Sequence, residues 1–266
     1  MPELPDVEVY KRYIDSTSLS KTITEVEVLD SRVLVDTSPE ELARAAKGRA
    51  FQESDRRGKH LFVKLDGDHW LALHFRMTSY PRYCKKASAD DDRESRYDAV
   101  RFHLDNGYLL AFNSRRKLGR MQLIEDPEWF AQAHELGPDA LSLAEDEFVE
   151  IIDRPRGRIK STLMNQKLMS GIGNEYSDEI LFQAQLHPDQ PVASLDDATR
   201  RQVFKVMTSV IHAAIEAGVD PARMPDRFLI PRRHEGEPCP RCGTGLKKIK
   251  AAGRPAYICP ECQPEP

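Results

Sequence analysis

The chain has 266 residues, of which 40% are hydrophobic and 31% are charged, and its formal net charge is −4. This length suffices for one large domain or two medium ones, each with its own core. No apolar stretch approaches the about 20 residues that span a bilayer, and the N-terminus is too acidic and proline-rich for a signal peptide. The composition therefore excludes a membrane-spanning protein and predicts a cytoplasmic one.

The N-terminal sequence MPELPDVEV places two prolines and a glutamate where chains are usually frayed. Pro5 suits the first position of a helix over residues 5–14, because its fixed φ already has the helical value. This helix gives no reason for Pro2 and Glu3, which need another explanation.

Residues 1–126 show the alternation of β-strands, in TEVEV, HLFVKL and VRFHL. The turn Asp105-Asn106-Gly107 separates VRFHL from YLLAF, and Asn-Gly between alternating apolar runs is a strong hairpin signal. The sequence therefore predicts an antiparallel sheet or sandwich preceded by one helix.

From residue 127 the apolar period becomes helical. The clearest helix is marked by Val203, Val206, Met207, Val210, Ile211 and Ala214, with Gly218 behind it. The segments STLMNQKLM and NEYSDEILFQA predict two shorter helices joined by SGIG. A helical domain is therefore expected over residues 127–230.

The GIGN segment at this joint has two interpretations. Gly171 and Gly173 allow close approach of another molecule, and Asn174 is predicted to cap the following helix. The free N–H groups of a helix N-terminus bind anions, so a DNA phosphate would fit there. The alternative is a plain corner between two helices with a good cap.

The segment 231–266 contains two Cys-x-x-Cys pairs with the spacing of a metal site, namely Cys239, Cys242, Cys259 and Cys262. Four thiolates predict a structural Zn²⁺ with no open coordination position. Two disulfides are the alternative, which a reducing compartment disfavours. Cys84 lacks a partner at ligand spacing and is expected to be inert.

Between the cysteine pairs, LKKIK and AYIC predict a β-hairpin that turns around Ala-Ala-Gly-Arg. Arg254 then lies at or near the tip, where a cation can reach a phosphate. Alternatively, Arg254 is an ordinary solvent-exposed turn residue, which is an equally simple interpretation.

Charge is unevenly distributed along the chain. Acidic residues gather at 89–94, 125–129 and 143–150, whereas basic residues gather at 56–60, 114–120, 154–160, 227–233 and 246–250. Each basic run alone is typical of a solvated face. Together they are compatible with one basic surface opposite an acidic one.

MPELPDVE at the start, RRGKHL at 56–61, LMNQKLMSGIGNEYSDEILF at 163–182 and the paired cysteines occur in one order along the whole chain. In this combination the chain resembles the formamidopyrimidine-DNA glycosylase/endonuclease VIII family of base-excision repair enzymes. The resemblance implies an α+β multidomain protein: an N-terminal helix plus two-layered antiparallel β-sandwich over 1–126, a helix–two-turn–helix domain over 127–230 and a zinc-finger β-hairpin over 231–266.

The resemblance also implies an explanation for the N-terminus. Removal of the initiator methionine leaves Pro2 as the nucleophile, which forms a Schiff base with the damaged nucleotide and leads to β,δ-elimination. An α-amino group titrates near about 8, below the about 10.4 of lysine, so more of it is unprotonated at neutral pH. Glu3 is implied as the general acid–base. Lys59 is implied to contact phosphate and to assist proton transfer, and Arg254 is implied to help hold the phosphates.

Further residues are expected to bind damaged or abasic double-stranded DNA. The family fills the space left by a flipped nucleotide with three side chains, which match Met77, Arg116 and Leu118; from the residues alone, Met77 is equally a core methionine. Asn174 matches a phosphate-binding asparagine. Lys160, at the end of the basic run 154–160, is also predicted to bind DNA.

The chain departs from the family at several places. Asp6 replaces a glutamate, Leu118 a phenylalanine, and His234 an arginine. The segment 218–238 is also about ten residues shorter than in the oxoguanine-excising branch, enough to remove a loop of common length. These departures disfavour 8-oxoguanine and favour either oxidised pyrimidines or lesions in single strands or unusual DNA structures as substrates.

Two main hypotheses follow. The first is a monomeric, nucleoid-associated bifunctional DNA glycosylase/AP lyase that uses Pro2. The second is a non-catalytic binder of damaged or abasic DNA on the same scaffold. Pro2, Glu3 and Lys59 favour the enzyme, because a binding protein does not need all three; a zinc-ribbon transcription regulator would need neither these residues nor the long β domain.

Overall fold

The computed structural model describes residues 1–89, 93–153 and 157–266. Backbone contacts divide the chain into two compact units, the first comprising residues 1–2 and 6–134, the second residues 3–5 and 135–266. In the part of the chain that is described, no helix has the length and apolar character needed to cross a membrane.

The N-terminal half begins with a helix and continues mostly as strands, as the alternation predicts. Its helices are α1 (Leu4–Thr17), α2 (Pro39–Ala46) and α3 (Pro127–Ala133). Its strands are β1 (Ile23–Val28), β2 (Phe51–Arg57), β3 (His60–Leu65), β4 (Trp70–His74), β5 (Ser79–Lys85), β6 (Asp98–Leu104), β7 (Tyr108–Ser114) and β8 (Arg120–Ile124).

The strands form two antiparallel sheets, with the orders β1-β6-β7-β5 and β2-β3-β4-β8. β6 and β7 pair as predicted, with Phe102 opposite Leu110, and Gly107 in their connecting turn has φ +82°. That left-handed conformation is open to glycine at no steric cost, so the Asn-Gly pair sets the register of the hairpin.

The core of the first unit lies between the two sheets. Val63 and Leu71 of one sheet belong to the same buried cluster as Phe102 and Phe112 of the other. The rings of Phe51 and Phe102 meet edge to face at 5.5 Å between centroids. This two-layer packing confirms the predicted β-sandwich.

Helix α3 is part of the first unit, although the sequence analysis placed the residues from 127 onward in the helical domain. Its Phe130 is buried against Phe62 and Ala72 of the second sheet. The division of the chain by contacts falls after His134. The boundaries proposed from the sequence, at 126/127 and 230/231, remain predictions.

The second unit carries the remaining helices and the hairpin. They are α4 (Glu145–Asp153), α5 (Ile159–Leu163), α6 (Asn174–Gln183), α7 (Asp197–Glu216), β9 (Lys247–Ala251) and β10 (Arg254–Ile258). The predicted helix α7 is confirmed: Val203, Met207, Val210, Ile211 and Ala214 are all buried in one cluster. Gly218 follows it with φ +66°.

One predicted helix is shorter than expected. The segment STLMNQKLM is helical only as far as Leu163, and turns follow up to α6. The side chain of Asn165 accepts the N–H of Lys167 at 3.1 Å, which favours a turn over a continuing helix. α5 and α6 are thus joined by a longer turn region than the SGIG segment alone.

The hairpin has the predicted strands. Its two turn residues, Ala252 and Gly253, have φ values of +50° and +72°. Arg254, the first residue after the turn, pairs with Ala251, the last residue before it. The expected position of Arg254 beside the tip is therefore confirmed.

Candidate active site and DNA-binding surface

Glu3 lies at the N-terminus of helix α6, within the second unit. Its carboxylate accepts the backbone N–H groups of Gly173 at 2.6 Å, Glu175 at 2.9 Å and Tyr176 at 3.4 Å. The residue is only 1% exposed. Three N–H donors and the positive end of the helix dipole hold this carboxylate in one orientation.

The two glycines before α6 allow this arrangement. Gly171 has φ +120°, a conformation that favours glycine, and its carbonyl accepts the N–H of Leu4 at 3.0 Å. A methyl group on Gly173 would collide with the carboxylate carbon and oxygens of Glu3. The group that comes close to Gly173 is the chain's own glutamate, whereas the sequence analysis expected another molecule.

Asn174 does not cap the helix as predicted. The N-cap residue is Gly173, and Asn174 is the first helical residue. The Glu3 carboxylate accepts three of the N–H groups at this helix end, those of Gly173, Glu175 and Tyr176, so binding of a phosphate by Asn174 remains a prediction. The side chain of Asn174 instead donates from Nδ2 to the carbonyl of Pro255 at 3.0 Å.

Asn174 therefore links α6 to the hairpin beside Arg254, which is itself exposed. Its Oδ1 atom is buried and has no hydrogen-bond partner among the described residues. The structure thus places Glu3, Asn174 and the backbone next to Arg254 at the N-terminus of α6.

Lys160 is not available for direct contact with DNA, which corrects the prediction. Its side chain is 0% exposed and forms an ion pair with Asp178, which is also fully buried. Burial lowers the pKa of Lys160, whereas the Asp178 carboxylate acts in the opposite direction. The residue binds protein rather than DNA.

Asp178 is the centre of a buried charge cluster that the sequence analysis missed. Besides Lys160 it accepts Nη2 of Arg233 at 2.6 Å and the N–H of Tyr257 at 3.3 Å. Arg233 also forms an ion pair with Glu175 at 3.2 Å. Asp178 thus ties α5, α6, the segment before the zinc finger and strand β10 together.

Glu179 anchors the segment 218–238. Its carboxylate accepts the N–H of Ile230 at 2.7 Å and Nε2 of Gln183 at 2.8 Å. The residue is fully buried, and desolvation raises its pKa from 4.5 to about 7. The local signal for both acids is the apolar run Ile180-Leu181-Phe182 that follows them directly.

In the first unit, the predicted void-filling residues Met77 and Arg116 are in contact, and Leu118 lies two residues after Arg116. Met77 is 48% exposed and Leu118 38%, so Met77 is not a core methionine. Nη1 of Arg116 lies 3.3 Å from the sulfur of Met77, and its backbone N–H donates to Thr78 at 3.2 Å. Two adjacent loops thus present these side chains to solvent.

Pro2 and Lys59 belong to the first unit. Pro2 is buried, whereas Met1 is 41% exposed. Lys59 lies in the turn between β2 and β3, directly after Gly58, which has φ +57°, and is 9% exposed. The charged positions 90–92 and 154–156, which belong to the predicted acidic and basic runs, lie outside the described residues.

The four cysteines converge on one point. Their sulfur atoms all lie within 4.8 Å of one another, with 4.0 Å between Cys239 and Cys262 and 3.4 Å between Cys242 and Cys259. A tetrahedral metal with M–S bonds near 2.3 Å requires S–S separations of about 3.8 Å. The donor set therefore fits a structural metal, and no disulfide joins these thiols.

Comparison with known proteins agrees with this architecture. The chain matches the family model of the formamidopyrimidine-DNA glycosylase N-terminal domain over residues 1–121 and that of its H2TH domain over 136–225. Residues 236–264 match a zinc finger found in FPG and IleRS.

Similar proteins cover nearly the whole chain. The formamidopyrimidine-DNA glycosylase of Herpetosiphon aurantiacus is 33% identical over 276 residues, covering 99% of this chain and 100% of that protein. The formamidopyrimidine-DNA glycosylase of Enterococcus faecalis is 32% identical over 279 residues, covering 99% of this chain and 97% of that protein. A solved structure of Lactococcus lactis Fpg with DNA containing an abasic site superposes with a TM-score of 0.87 at 26% identity, covering 99% of this chain and 100% of that one.

The three domains in this order define a DNA-repair glycosylase with a structural metal site. The chain belongs to the formamidopyrimidine-DNA glycosylase family. This confirms the predicted fold and the predicted enzyme class, a DNA glycosylase with AP lyase activity.

We expect Gly173→Ala to displace the Glu3 carboxylate, because the added methyl group occupies its position. The family resemblance implies Glu3 as the general acid–base, a role that contributes about 100-fold or more, so cleavage at an abasic site should fall by about that factor while DNA binding persists. Gly157→Ala is the matched control, because its methyl group would meet only ordinary contacts, the nearest at 3.5 Å. Equal cleavage rates for the two variants would contradict the assigned role of Gly173.

We expect Asp178→Asn to lower the free energy of unfolding by about 3–5 kcal/mol, because it leaves the buried Lys160 without its counter-charge. Glu135→Gln breaks an exposed ion pair with Lys167 and should cost at most about 1 kcal/mol. Urea denaturation of both variants measures the contrast. Equal costs would show that the buried cluster does not stabilise the second unit.

The raised pKa of Glu179 has a consequence for stability. Between pH 4.5 and about 7 the folded protein retains a proton that the unfolded chain has lost, so the free energy of unfolding falls as pH rises through this window. Glu179→Gln remains neutral and should lack this contribution, which amounts to about 3 kcal/mol across the window. Denaturation of wild type and variant at several pH values gives the difference; parallel profiles would contradict the shifted pKa.

Proposed function

We propose that this protein is a bifunctional DNA glycosylase/AP lyase of base-excision repair whose nucleophile is the N-terminal amine of Pro2. The observation that carries the proposal is the fixed carboxylate of Glu3, the residue next to Pro2 in the chain. It is buried and held by three N–H groups. A protein that only binds DNA has no need to orient a carboxylate beside its N-terminus.

The exposed Met1 supports removal of the initiator residue before the reaction. The secondary amine of Pro2 attacks C1′ of the damaged nucleotide, and the C1′–base bond breaks as the base leaves with its electron pair. The proton that the amine loses passes to the departing base. The C1′–O4′ bond then breaks, O4′ takes up a proton, and an iminium forms between Pro2 and C1′. This covalent intermediate divides a difficult step into two.

Glu3 and Lys59 move protons in this scheme. Loss of a proton from C2′ of the iminium expels the 3′ phosphate, and a second elimination expels the 5′ phosphate. The Glu3 carboxylate is suited to transfer protons to and from the sugar. Lys59 and Arg254 supply cations for the phosphates that become leaving groups.

Binding of DNA is assigned to residues of both units. Met77, Arg116 and Leu118 fill the space that the flipped nucleotide leaves, which their exposure on adjacent loops supports. Asn174 keeps one amide proton for a phosphate while it holds the hairpin beside Arg254. The relatives include Lactococcus lactis Fpg in complex with abasic-site DNA, which supports damaged double-stranded DNA as the partner.

The structural metal is zinc in this proposal, with one ion per chain. Four thiolates at these separations suit its tetrahedral preference. Cys239 and Cys259 are buried, so the ion would stabilise the hairpin that carries Arg254. The protein acts as a monomer in the cytoplasm, associated with the nucleoid.

Oxidised pyrimidines are the preferred lesions in this proposal. The shortened segment 218–238 is fixed to the helical core, since Met224, Phe228 and Leu229 are buried and Glu179 binds the N–H of Ile230. A segment held in this way is less able to fold over a flipped purine. Leu118 likewise stands where the family has a phenylalanine, so no aromatic side chain enters the stack of DNA bases.

Borohydride trapping on a duplex with one abasic site tests the nucleophile. Reduction of the iminium should join the wild-type enzyme covalently to DNA, and a variant that retains Met1 should give no adduct. Pro2→Gly, which replaces the ring amine by a primary one, should trap less. Absence of any adduct despite intact binding would favour the non-catalytic binder.

Incision of defined duplexes tests the lesion class. We expect a thymine glycol duplex to be cut about tenfold faster than one with 8-oxoguanine opposite cytosine, since the site lacks the longer segment. An abasic duplex serves as the reference for lyase activity. Faster cutting of 8-oxoguanine would refute the lesion preference and leave the Pro2 mechanism untouched.

A further inference from the structure

A groove on the first unit is unrelated to the residues assigned to catalysis or DNA binding. It consists of two adjoining cavities of 540 and 320 Å³, which share His69 and Leu123 as lining residues. The first is bounded by the start of α3 and the second by α2. The Nδ1 atom of His69 is buried and has no hydrogen-bond partner among the described residues.

Trp129 stands at the edge of the larger cavity. It is 66% exposed, whereas the next residue of α3, Phe130, is buried in the core. An indole of this exposure beside a cavity offers a large contact area at low entropic cost, and such residues dominate binding at protein interfaces. The fold does not need Trp129 for its own packing.

The groove is acidic. Glu125 and Asp126 line it near Trp129, and Asp66 and Asp68 line the adjoining cavity. In the described ranges, none of these four carboxylates forms a salt bridge, although Arg44 and Arg49 lie in the second cavity. An acidic lining repels phosphates, so DNA is not the occupant.

The groove lies away from the loops assigned to DNA. In the β4–β8 ladder, His74 pairs with Arg120 at one end and Trp70 with Ile124 at the other. The loops with Met77 and Leu118 follow the first end, and the groove follows the second. The five-residue strands separate the two ends by roughly 13 Å, so a partner in the groove would leave these loops free.

We propose that this groove docks an extended, arginine-containing segment of a partner protein. A guanidinium stacks on the face of Trp129 and pairs with the carboxylates of Glu125 or Asp126, while the adjoining acids accept a second cation. A repair enzyme could thereby be recruited without blocking its DNA-binding loops.

Calorimetric titration of the full-length, zinc-loaded protein with a hexa-arginine peptide tests the proposal. We expect Trp129→Ala to weaken binding about tenfold, and Glu125→Gln with Asp126→Asn to do the same. Asparagine retains the N-cap of α3, so the double variant keeps its fold. Glu147→Gln, an exposed acid of α4, is the matched control and should bind like the wild type.

Three outcomes would overturn the proposal. One is the absence of peptide binding; another is equal binding by the wild type and both groove variants, which would indicate diffuse attraction to an acidic protein. The third is a dimer in sedimentation that Trp129→Ala dissociates, because the occupant would then be a second copy of this chain. Hexalysine should bind more weakly than hexa-arginine, since only the planar guanidinium stacks on the indole.

Discussion

The geometry of the candidate site depends on one interaction, the carboxylate of Glu3 at the N-terminus of α6. Three N–H groups converge on it, Gly173 leaves the space that it occupies, and Gly171 leaves space for the neighbouring Leu4. The helix end therefore binds an anion that belongs to the chain itself. An N-terminal segment that would otherwise fray becomes a fixed part of the second unit.

The buried charges around α6 extend this constraint to the zinc hairpin. Asp178 lies one turn after Asn174 on the same helix and holds Arg233 and the backbone of Tyr257. Asn174 binds the neighbouring carbonyl of Pro255. Two contacts thus fix β10 against α6, and antiparallel pairing fixes β9 to β10. The position of Arg254 follows from packing, not from its own contacts.

The sandwich serves a different purpose in the first unit. Its two sheets bury a core that needs no help from ligands, and its loops carry side chains that the core does not use. Met77 and Leu118 are exposed on loops at one end of the second sheet, and Trp129 is exposed beyond the other. A rigid scaffold with exposed side chains at both ends allows one partner at each.

The sequence alone determined the elements whose signals are local. Alternation and the Asn-Gly turn gave the β6–β7 hairpin, the apolar spacing gave α7, and the cysteine spacing gave the metal site, since each depends on neighbours in the chain. Four ordered motifs were enough to identify the family.

Tertiary structure alone decided which charges face water. The sequence presented Lys160 as one more basic residue, but packing buried it against Asp178. The sequence presented Asn174 as a helix cap, but Gly173 holds the cap position, and the Glu3 carboxylate is the anion at this helix end. Burial and charge pairing depend on residues far apart in the chain, about 170 positions in the case of Glu3 and Gly173. No local pattern records such a pairing, because the atoms that satisfy a buried charge meet only once the chain has folded.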